Sequence, residues 1–416
     1  MKSKLKYILF IFFIILGIQT CSLATEININ SQAAILVEAS TGRIIYEKNS
    51  TKQMYPASTT KIMTAILVIE NCDLTEIVTV KESSLSNIPS GYVTCNLQIG
   101  EEISVNDLLY ALMVPSANDA AYVLAEHVAG SVEHFSNMMN IKAEELGCMN
   151  THFVNPNGIH SNSHYSTAYD LYLIASYAMK NDTFKKLVST TEYTLPSTNQ
   201  YPTEDRILKT TNDLINPNKK NYYKNAIGIK TGYTSQAGNC LVSESSRDGL
   251  NFISVVLNSD KTNSSIRYTD SIKLFDYAYD NFTLTKIIEK NSIVDTIEIA
   301  NATKETKSLN LIIDESITVI NNKSIDMNNV IPEISLKENL EAPILAGTII
   351  GSIKYRVDDI EYSANLIAKD DVLKQNYIYF YLLITGFVLL LISNLIMKRS
   401  KPSKKKLRKK QKENNL

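Results

Sequence analysis

The sequence predicts an α+β protein in which helices pack on an antiparallel sheet, followed by a smaller β-rich domain. Strand-like segments alternate with long helical patterns up to about residue 285, and short β-rich segments dominate from there to about residue 370. Tyr377–Met397 is then an uncharged stretch of 21 residues. Since a single domain usually has ~100–200 residues, the 416-residue chain is expected to hold more than one core.

The elements of the first domain are predicted from hydrophobic periodicity and from residues that start and end helices. Ser104 and Asp107 form a capping-box pattern at the start of a helix, and Gly130 suits a left-handed cap at the end of another. A turn at Ser40-Thr41-Gly42 predicts a hairpin. The predicted elements are strands at Ala33–Glu38 and Arg43–Tyr46, helices at Asp119–Ala129 and from Thr167 through Met179, and neighbouring strands at Ile227–Lys230, Cys240–Glu244 and Phe252–Leu257.

Residues 25–284 are assigned to this first domain, and residues 285–370 are interpreted as a small β-sandwich without catalytic residues. Ile353, Tyr355 and Val357 alternate with polar neighbours, which is typical of a half-buried strand. The predicted strands are Ile293–Ile299, Leu309–Ile313, Ile317–Ile320, Ile331–Leu336 and Gly351–Val357.

Residues 1–24 have the pattern of a secretory signal peptide. Three lysines precede an apolar stretch, Tyr7–Ile18, and Ser22-Leu23-Ala24 provides a small-residue cleavage site. The apolar stretch is shorter than the ~20 residues that a membrane-spanning helix needs. We therefore expect cleavage after residue 24, in preference to lipidation at Cys21.

Tyr377–Met397 is long enough to span a membrane. The following segment, 398–416, contains ten Lys or Arg residues, and the positive-inside rule places such a segment in the cytoplasm. A nucleic-acid-binding tail is the alternative, but a basic run beside a span favours a stop-transfer signal. We therefore expect a single-pass protein of the cell membrane whose body is extracytoplasmic.

The body of the chain is acidic. The formal net charge is −1, and because the signal contributes three positive charges and the tail a net nine, residues 25–397 carry the remaining −13. An acidic exterior body argues against nucleic acid as a partner. Cys72, Cys95, Cys148 and Cys240 are widely spaced without a C-x-x-C pattern, so their disulfide state stays open and no metal cluster is indicated.

The first candidate catalytic pattern is Pro56-Ala57-Ser58-Thr59-Thr60-Lys61. Residues three apart share a helix face, so the amine of Lys61 can reach the hydroxyl of Ser58. Serine is a poor nucleophile until an adjacent base removes its proton, and lysine acts as a base when burial or a nearby positive charge lowers its pKa. An ordinary helix start is the alternative for this pattern taken alone.

Two further patterns favour the chemical interpretation. Pro115-Ser116-Ala117-Asn118 lies in a short break between two predicted helices, where helix capping is the alternative. Gly228-Ile229-Lys230-Thr231-Gly232-Tyr233 lies at the end of a predicted strand, where a lysine on an edge strand is common. Each pattern is weak alone, but the three together in this order indicate a catalytic site.

S-x-x-K, S-x-N and K-T-G in this order resemble the signature set of penicillin-binding proteins and serine β-lactamases. The text between them resembles the low-molecular-mass penicillin-binding proteins, the serine D-Ala-D-Ala carboxypeptidases. The segments concerned are Asn155-Pro156-Asn157-Gly158, His164-Tyr165-Ser166-Thr167-Ala168, Thr211-Asn212, Ala237-Gly238-Asn239-Cys240 and Arg247-Asp248-Gly249. The resemblance covers about residues 28–370 and implies a β-lactamase/transpeptidase-like domain, a β-sandwich and a terminal anchor. Tyr169 departs from it, since these enzymes often carry Arg there.

The resemblance implies a catalytic role for four residues. Ser58 would attack the carbonyl of the penultimate D-Ala, with Lys61 as its base. Ser116 would pass a proton to the departing D-Ala nitrogen, and Asn118 would position Lys61. Water would then hydrolyse the acyl-enzyme.

The resemblance also implies how the substrate is bound. Lys230 would lower the pKa of Lys61 and hold the terminal carboxylate, with Thr231 as a second contact. Gly232 would let the substrate approach the strand, and the backbone N–H groups of Ser58 and Tyr233 would form an oxyanion hole. The implied partners are peptidoglycan stem peptides ending in D-Ala-D-Ala, and β-lactam antibiotics as covalent inhibitors, with no cofactor and no metal.

Other classes of protein remain as alternatives. A class A-like β-lactamase would need an additional glutamate near His152, and residues 151–156 contain no carboxylate. A non-catalytic penicillin sensor or wall-binding scaffold is opposed by the intact second and third patterns. His160 and His164 are four residues apart, but they lie in a predicted loop without the pattern of a metal enzyme.

Overall fold

The computed structural model describes residues 27–86, 88–203 and 205–400, with side chains described as far as residue 398. The predicted signal peptide, Cys21 and most of the basic tail lie outside the described residues. The chain divides into two compact units between Phe282 and Thr283. Each unit has its own hydrophobic core.

The first unit mixes helices and strands along its whole length. Its helices are α1 (Lys61–Asn71), α2 (Glu82–Ser86), α3 (Val105–Met113), α4 (Asn118–Ala129), α5 (Val132–Glu145), α6 (Ala168–Ala178), α7 (Asp182–Ser189) and α8 (Ser265–Asn281). Its strands are β1 (Ala33–Glu38), β2 (Ile44–Lys48), β3 (Ile77–Thr79), β4 (Glu102–Ser104), β5 (Glu192–Leu195), β6 (Arg206–Lys209), β7 (Ala226–Thr234), β8 (Gly238–Arg247) and β9 (Leu250–Ser259).

The centre of this unit is a five-stranded antiparallel sheet with the strand order β2-β1-β9-β8-β7. All six residues of β1 are buried, which indicates that both faces of the sheet are covered. Helices α6 and α8 both contact β9. Among the described strands, β8 is the sheet neighbour of β7, so β7 forms the edge of the sheet. The predicted arrangement of helices on an antiparallel sheet is confirmed.

The predicted helix signals are also confirmed. At the start of α3 the hydroxyl of Ser104 accepts a hydrogen bond from the backbone N–H of Asp107 at 3.1 Å. Thr167 caps α6 in the same way, and Gly130 ends α4 with a φ of 75°. The predicted strand Ile227–Lys230 is too short, because Thr and Gly residues continue the β7 ladder where the apolar run stops. The third pattern therefore lies within β7 rather than at its end.

The second unit contains a β-sandwich. Its first strand, β10 (Phe282–Ile288), begins at the last residue of the first unit, and the other strands are β11 (Ile293–Glu298), β12 (Ser308–Ile313), β13 (Ile317–Asn322), β14 (Glu333–Leu336), β15 (Ile349–Val357) and β16 (Ile360–Ala368). One sheet has the order β11-β12-β16-β15-β14, and the other pairs β10 with β13. Ile353, Tyr355 and Val357 are buried as predicted. Strand β16 was not predicted, because Ala364 and Asn365 lower its β-propensity.

A long apolar helix, α9 (Ile378–Ser400), follows the sandwich. Its segment Ile378–Lys398 is long and apolar enough to cross a membrane, and none of the segment is buried. This segment is the candidate span that the sequence predicts at Tyr377–Met397.

Candidate active site

Ser58 lies in a 3-10 turn, Ala57–Thr60, that leads directly into α1. The carbonyl of Pro56 accepts hydrogen bonds from the backbone N–H of Thr59 at 3.3 Å and from its hydroxyl at 2.7 Å. Ala57 has a φ of 48°, in the left-handed region that costs a non-glycine residue roughly 1–2 kcal/mol. Backbone strain of this kind persists where neighbouring contacts hold it, and it clusters at functional sites.

The amine of Lys61 is buried against the Ser58 turn. Its Nζ lies 3.0 Å from Ser58 Oγ, 2.9 Å from Asn118 Oδ1 and 3.0 Å from the backbone oxygen of Asn157. Burial, and next the charge of Lys230, hold the pKa of Lys61 well below its ordinary value of 10.5. At a given pH, the neutral form of the amine is therefore favoured far more here than it is in an exposed lysine.

These contacts orient the amine of Lys61 relative to the hydroxyl of Ser58. A neutral amine has two N–H groups and one lone pair. The oxygens of Asn118 and Asn157 can only accept hydrogen bonds, whereas the hydroxyl of Ser58 can also donate. When the two N–H groups bond to the two carbonyl oxygens, the lone pair is left for Ser58. Two fixed acceptors thus direct the lone pair of Lys61 at the hydroxyl of Ser58.

The loop of residues 155–158 carries the Asn157 oxygen and is held against the Ser58 turn. Thr64, one turn along α1, donates its hydroxyl to the backbone oxygen of Pro156 at 2.5 Å. Gly158 has a φ of 82°, and a Cβ at this position would lie 1.8 Å from the carbonyl oxygen of Ala57. A residue without a side chain is therefore required for this close approach.

The second pattern occupies the break between α3 and α4. Ser116 lies there with a φ of 70°. Asn118 begins α4, and its side chain is fixed at both ends. Its Oδ1 accepts from Lys61, and its Nδ2 donates to the backbone oxygen of Val93 at 2.9 Å. The second bond prevents the amide from turning its oxygen away from Lys61.

The third pattern packs against the Ser58 turn. A Cβ at Gly232 would lie 3.0 Å from the backbone nitrogen of Ser58 and 3.1 Å from the backbone oxygen of Pro56. Gly232 therefore allows a close approach between β7 and the turn, in addition to the predicted approach of substrate. The next side chain, Tyr233, points outward and is 53% exposed.

Two basic side chains lie at this part of the site, Lys230 within β7 and Arg267 from α8. Lys230 is buried, and its Nζ donates to the backbone oxygen of Thr231 at 3.3 Å. Burial, and then the charge of Arg267, lower the pKa of Lys230 to about 7. Arg267, from α8, donates to the backbone oxygen of Gly232 at 3.2 Å. The hydroxyl of Thr231 is fixed by that of Thr211 at 2.6 Å.

A cavity of about 490 Å³ opens at Ser58. Six of the predicted site residues line it, and the other two, Lys61 and Lys230, are buried. The six are Ser58, Ser116, Asn118, Thr231, Gly232 and Tyr233. Arg267 also lines the cavity, and within the described part of the chain no Asp or Glu does. The cavity is therefore suited to a ligand that carries a negative charge beside a reactive carbonyl group.

Three contributors to this site were not predicted. Arg267 comes from a segment that shows no recognisable catalytic pattern, and Thr211, although Thr211-Asn212 belongs to the family resemblance, has no predicted role in the site. The backbone oxygen of Asn157 is invisible to side-chain patterns, although the Asn-Pro-Asn-Gly sequence does predict the loop that carries it.

His164 has a structural role, because both of its ring nitrogens bond to neighbouring groups of the fold. His164 Nδ1 accepts from the backbone N–H of Val154 at 3.1 Å, so its Nε2 donates to the hydroxyl of Thr60 at 2.8 Å. Burial, with His152 and His160 nearby, lowers the pKa of His164 to about 3. The ring is therefore neutral. No group of three potential metal ligands is found in the described ranges.

Tyr169 lies away from the cavity. Its ring packs beside Tyr172 with 6.1 Å between ring centroids, and its backbone N–H donates to Ser50. It does not line the Ser58 cavity. The described cysteines, Cys72, Cys95, Cys148 and Cys240, are unpaired thiols.

Comparison with known proteins gives consistent results for both units. Residues 20–261 match the family model described as D-alanyl-D-alanine carboxypeptidase, and residues 282–374 match the C-terminal domain of penicillin-binding protein 5. D-alanyl-D-alanine carboxypeptidase DacF of Bacillus subtilis is 32% identical over 371 residues, covering 88% of this chain and 90% of the relative. The D-alanyl-D-alanine carboxypeptidase of Streptomyces sp. K15 is 36% identical over 281 residues, covering 64% of this chain and 92% of the relative.

A solved structure extends the similarity to the fold. Penicillin-binding protein 5 of Haemophilus influenzae superposes with a TM-score of 0.66 at 28% identity, covering 84% of this chain and 99% of that one. Fold and site together define a serine peptidase of the low-molecular-mass penicillin-binding class. The chain belongs to the D-alanyl-D-alanine carboxypeptidase family.

The close packing of Gly158 against the carbonyl of Ala57 can be tested by measuring the stability of a variant. Gly158→Ala should destabilise the first unit through both the positive φ and the clash with Ala57. Gly147→Ala is the matched control, since Gly147 has a φ of 80° but nothing within 4 Å of an added Cβ. We expect a loss of roughly 1–2 kcal/mol for the control and about 1–3 kcal/mol more for Gly158→Ala. Equal urea midpoints for the two variants would contradict the role given to this contact.

Proposed function

We propose that Ser58 and Lys61 carry out the D-alanyl-D-alanine carboxypeptidase reaction of this family. The observation that carries the proposal is the 3.0 Å contact between Lys61 Nζ and Ser58 Oγ, with the remaining Lys61 contacts on carbonyl oxygens. Ser58 Oγ bonds to the carbonyl carbon of the penultimate D-Ala while its proton passes to Lys61. The C–N bond to the terminal D-Ala then breaks, and the leaving nitrogen receives a proton through Ser116.

A hydrolytic step completes the cycle. Water attacks the ester carbonyl of the acyl-enzyme, which releases the shortened peptide and restores the hydroxyl of Ser58. With a β-lactam, the ring amide opens instead and leaves an ester on Ser58. The lack of a carboxylate among the described lining residues favours slow hydrolysis of that ester over the β-lactamase alternative.

The terminal carboxylate of the substrate is held by the cationic side of the site. Lys230 and Arg267 supply positive charge, and the hydroxyl of Thr231 supplies a hydrogen-bond donor. Recognition of a free carboxylate restricts cleavage to the last residue of a peptide, as a carboxypeptidase requires. Arg267 thus joins Lys230 and Thr231, the two carboxylate contacts that the sequence predicts.

The developing oxyanion is bound by the backbone N–H groups of Ser58 and Tyr233. Donors of this kind contribute roughly 3–4 kcal/mol each to transition-state stabilisation. The packing of Gly232 against the Ser58 turn supports this assignment, because it holds the two segments that carry these N–H groups side by side.

The surrounding sequence supports an extracytoplasmic location. We assign 1–24 to a cleaved signal, 25–284 to the catalytic domain and 285–370 to a non-catalytic domain. Residues 377–397 then anchor the protein in the cell membrane, with the basic tail 398–416 in the cytoplasm. In this location the catalytic domain meets peptidoglycan stem peptides and β-lactams.

A labelled penicillin tests the nucleophile. It should attach covalently to the wild-type protein at one site, and Ser58→Ala should remove the label because no other hydroxyl contacts Lys61 among the described residues. Mass spectrometry of the labelled peptide gives the site. Covalent labelling that persists in Ser58→Ala would refute the assignment.

The two lysines should respond differently to the same change. Lys61→Arg should abolish acylation, because a guanidinium stays protonated and cannot act as a base. Lys230→Arg keeps a cation for the carboxylate and should retain measurable acylation and D-Ala release. Stopped-flow acylation rates distinguish the two, and equal losses would contradict the division of roles.

The pH dependence of acylation tests the coupling between these lysines. Acylation should fall as the pH falls, because protonation removes the lone pair of Lys61. Lys230→Met removes a charge that lowers the pKa of Lys61, so the acid limb should move to higher pH. In Lys230→Arg the charge is kept and the limb should stay near its wild-type position. A limb that does not move in Lys230→Met would show that the coupling is absent.

A further inference from the structure

We infer that a second cavity, next to the Ser58 cavity, binds the amino sugar to which the stem peptide is attached. This inference rests on the proposed carboxypeptidase function and adds a subsite to it. The cavity has a volume of about 280 Å³. Its polar lining consists of four carboxamides and two phenols, from Gln53, Asn162, Gln236, Asn258, Tyr55 and Tyr165.

The chemistry of this lining fits an uncharged polyhydroxyl ligand. A carboxamide offers two donors and an acceptor, and a phenol offers one donor and an acceptor. Hydroxyl and acetamido groups of an amino sugar need both kinds of partner. The tyrosine rings add flat apolar surface that can pack on a sugar ring. No charged side chain lines the cavity in the described part of the chain, so an ionic ligand would lack a counter-charge.

Several of these polar groups are available to a ligand. In the described ranges, the amides of Gln53 and Asn162 make no hydrogen bond with the protein, and both residues are exposed. The Oε1 of Gln236 accepts from Ser235 Oγ at 2.8 Å, which turns its NH₂ group to other partners. The ring of Tyr55 is held edge-on by His160 at 4.5 Å between centroids. Part of the lining is therefore fixed before any ligand arrives.

The position of the cavity matches the path of the substrate. We place the peptide antiparallel to the edge of β7, with its C-terminal carboxylate at Thr231 and Arg267. The peptide's N-terminal residues then lie towards the C-terminal end of β7. Ser235 lines the Ser58 cavity, and Gln236, the next residue, lines the second cavity. The peptide therefore leaves the first cavity in the direction of the second.

The length of the stem peptide is also compatible with a sugar site at the second cavity. In a pentapeptide stem, three residues precede D-Ala-D-Ala, and they span about 10 Å at ~3.3 Å per extended residue. Gln236 lies three residues beyond Tyr233, whose N–H faces the reacting carbonyl in the proposed function. Because Gln236 lies in the turn that directly follows β7, a stem peptide of this length is long enough to carry its sugar past the end of the strand to the second cavity. Because sugar and peptide are covalently linked, even weak sugar contacts raise the affinity for the whole substrate.

The experiment compares two substrates on the full-length protein. One is a pentapeptide ending in D-Ala-D-Ala, and the other is the same peptide carrying a disaccharide of N-acetylated amino sugars. We expect the wild type to favour the sugar-bearing peptide about fivefold in kcat/KM, mainly through KM. The double variant Gln53→Ala, Asn162→Ala should reduce this ratio to about one.

A control variant tests whether the effect is specific to the second cavity, and a separate outcome tests the proposed function itself. Asn137→Ala removes an exposed amide from α5, outside the second cavity, and should keep the wild-type ratio. Equal kcat/KM for the two peptides in the wild type, or an unchanged ratio in the double variant, would overturn the sugar subsite. Failure to release D-Ala from either peptide would instead refute the proposed function.

Discussion

The buried amine of Lys61 is the constraint on which the catalytic unit depends. An ammonium group that loses its water costs several kcal/mol unless other groups compensate, so burial favours the neutral amine that a base requires. The two N–H groups of that amine still need acceptors, which Asn118 and the backbone of Asn157 provide. Helix α4 and the loop 155–158 must therefore both reach the start of α1. Helix α4 packs against α1, and the hydrogen bond from Thr64 to Pro156 holds the loop against α1.

The same geometry requires backbone conformations that are unfavourable on their own. Ala57 and Ser116 have positive φ values, and Gly158 packs against the carbonyl of Ala57. Strain of this kind costs of order 1–3 kcal/mol at each position and persists when the surrounding structure over-determines it. The Ala57 turn leads directly into α1, most of which is buried, and Ser116 lies between the largely buried helices α3 and α4. Stability elsewhere thus offsets strain that serves function.

Much of this arrangement could be predicted from the sequence because local rules govern it. The spacing of Ser58 and Lys61 predicts their contact, and capping residues such as Ser104 predict helix starts. Prediction failed where long-range packing decides. Arg267 reaches the site only because α8 returns to the edge of β7, and Asn157 contributes a backbone atom that has no sequence signature. Strand β7 was predicted too short because its catalytic half is made of Thr and Gly, which the apolar periodicity of a strand does not reveal.

The charges of the site link substrate recognition to protonation. With a pKa lowered to about 7, Lys230 is partly neutral at neutral pH in the free protein. In the proposed function, a substrate carboxylate near Lys230 and Arg267 would favour the charged form of Lys230, so substrate binding would be accompanied by proton uptake near pH 7. A resident Asp or Glu in the cavity would neutralise these cations and compete with the substrate for them. The cavity has no carboxylate among its described lining residues, so in the proposed function the substrate itself would supply the negative charge that balances Lys230 and Arg267.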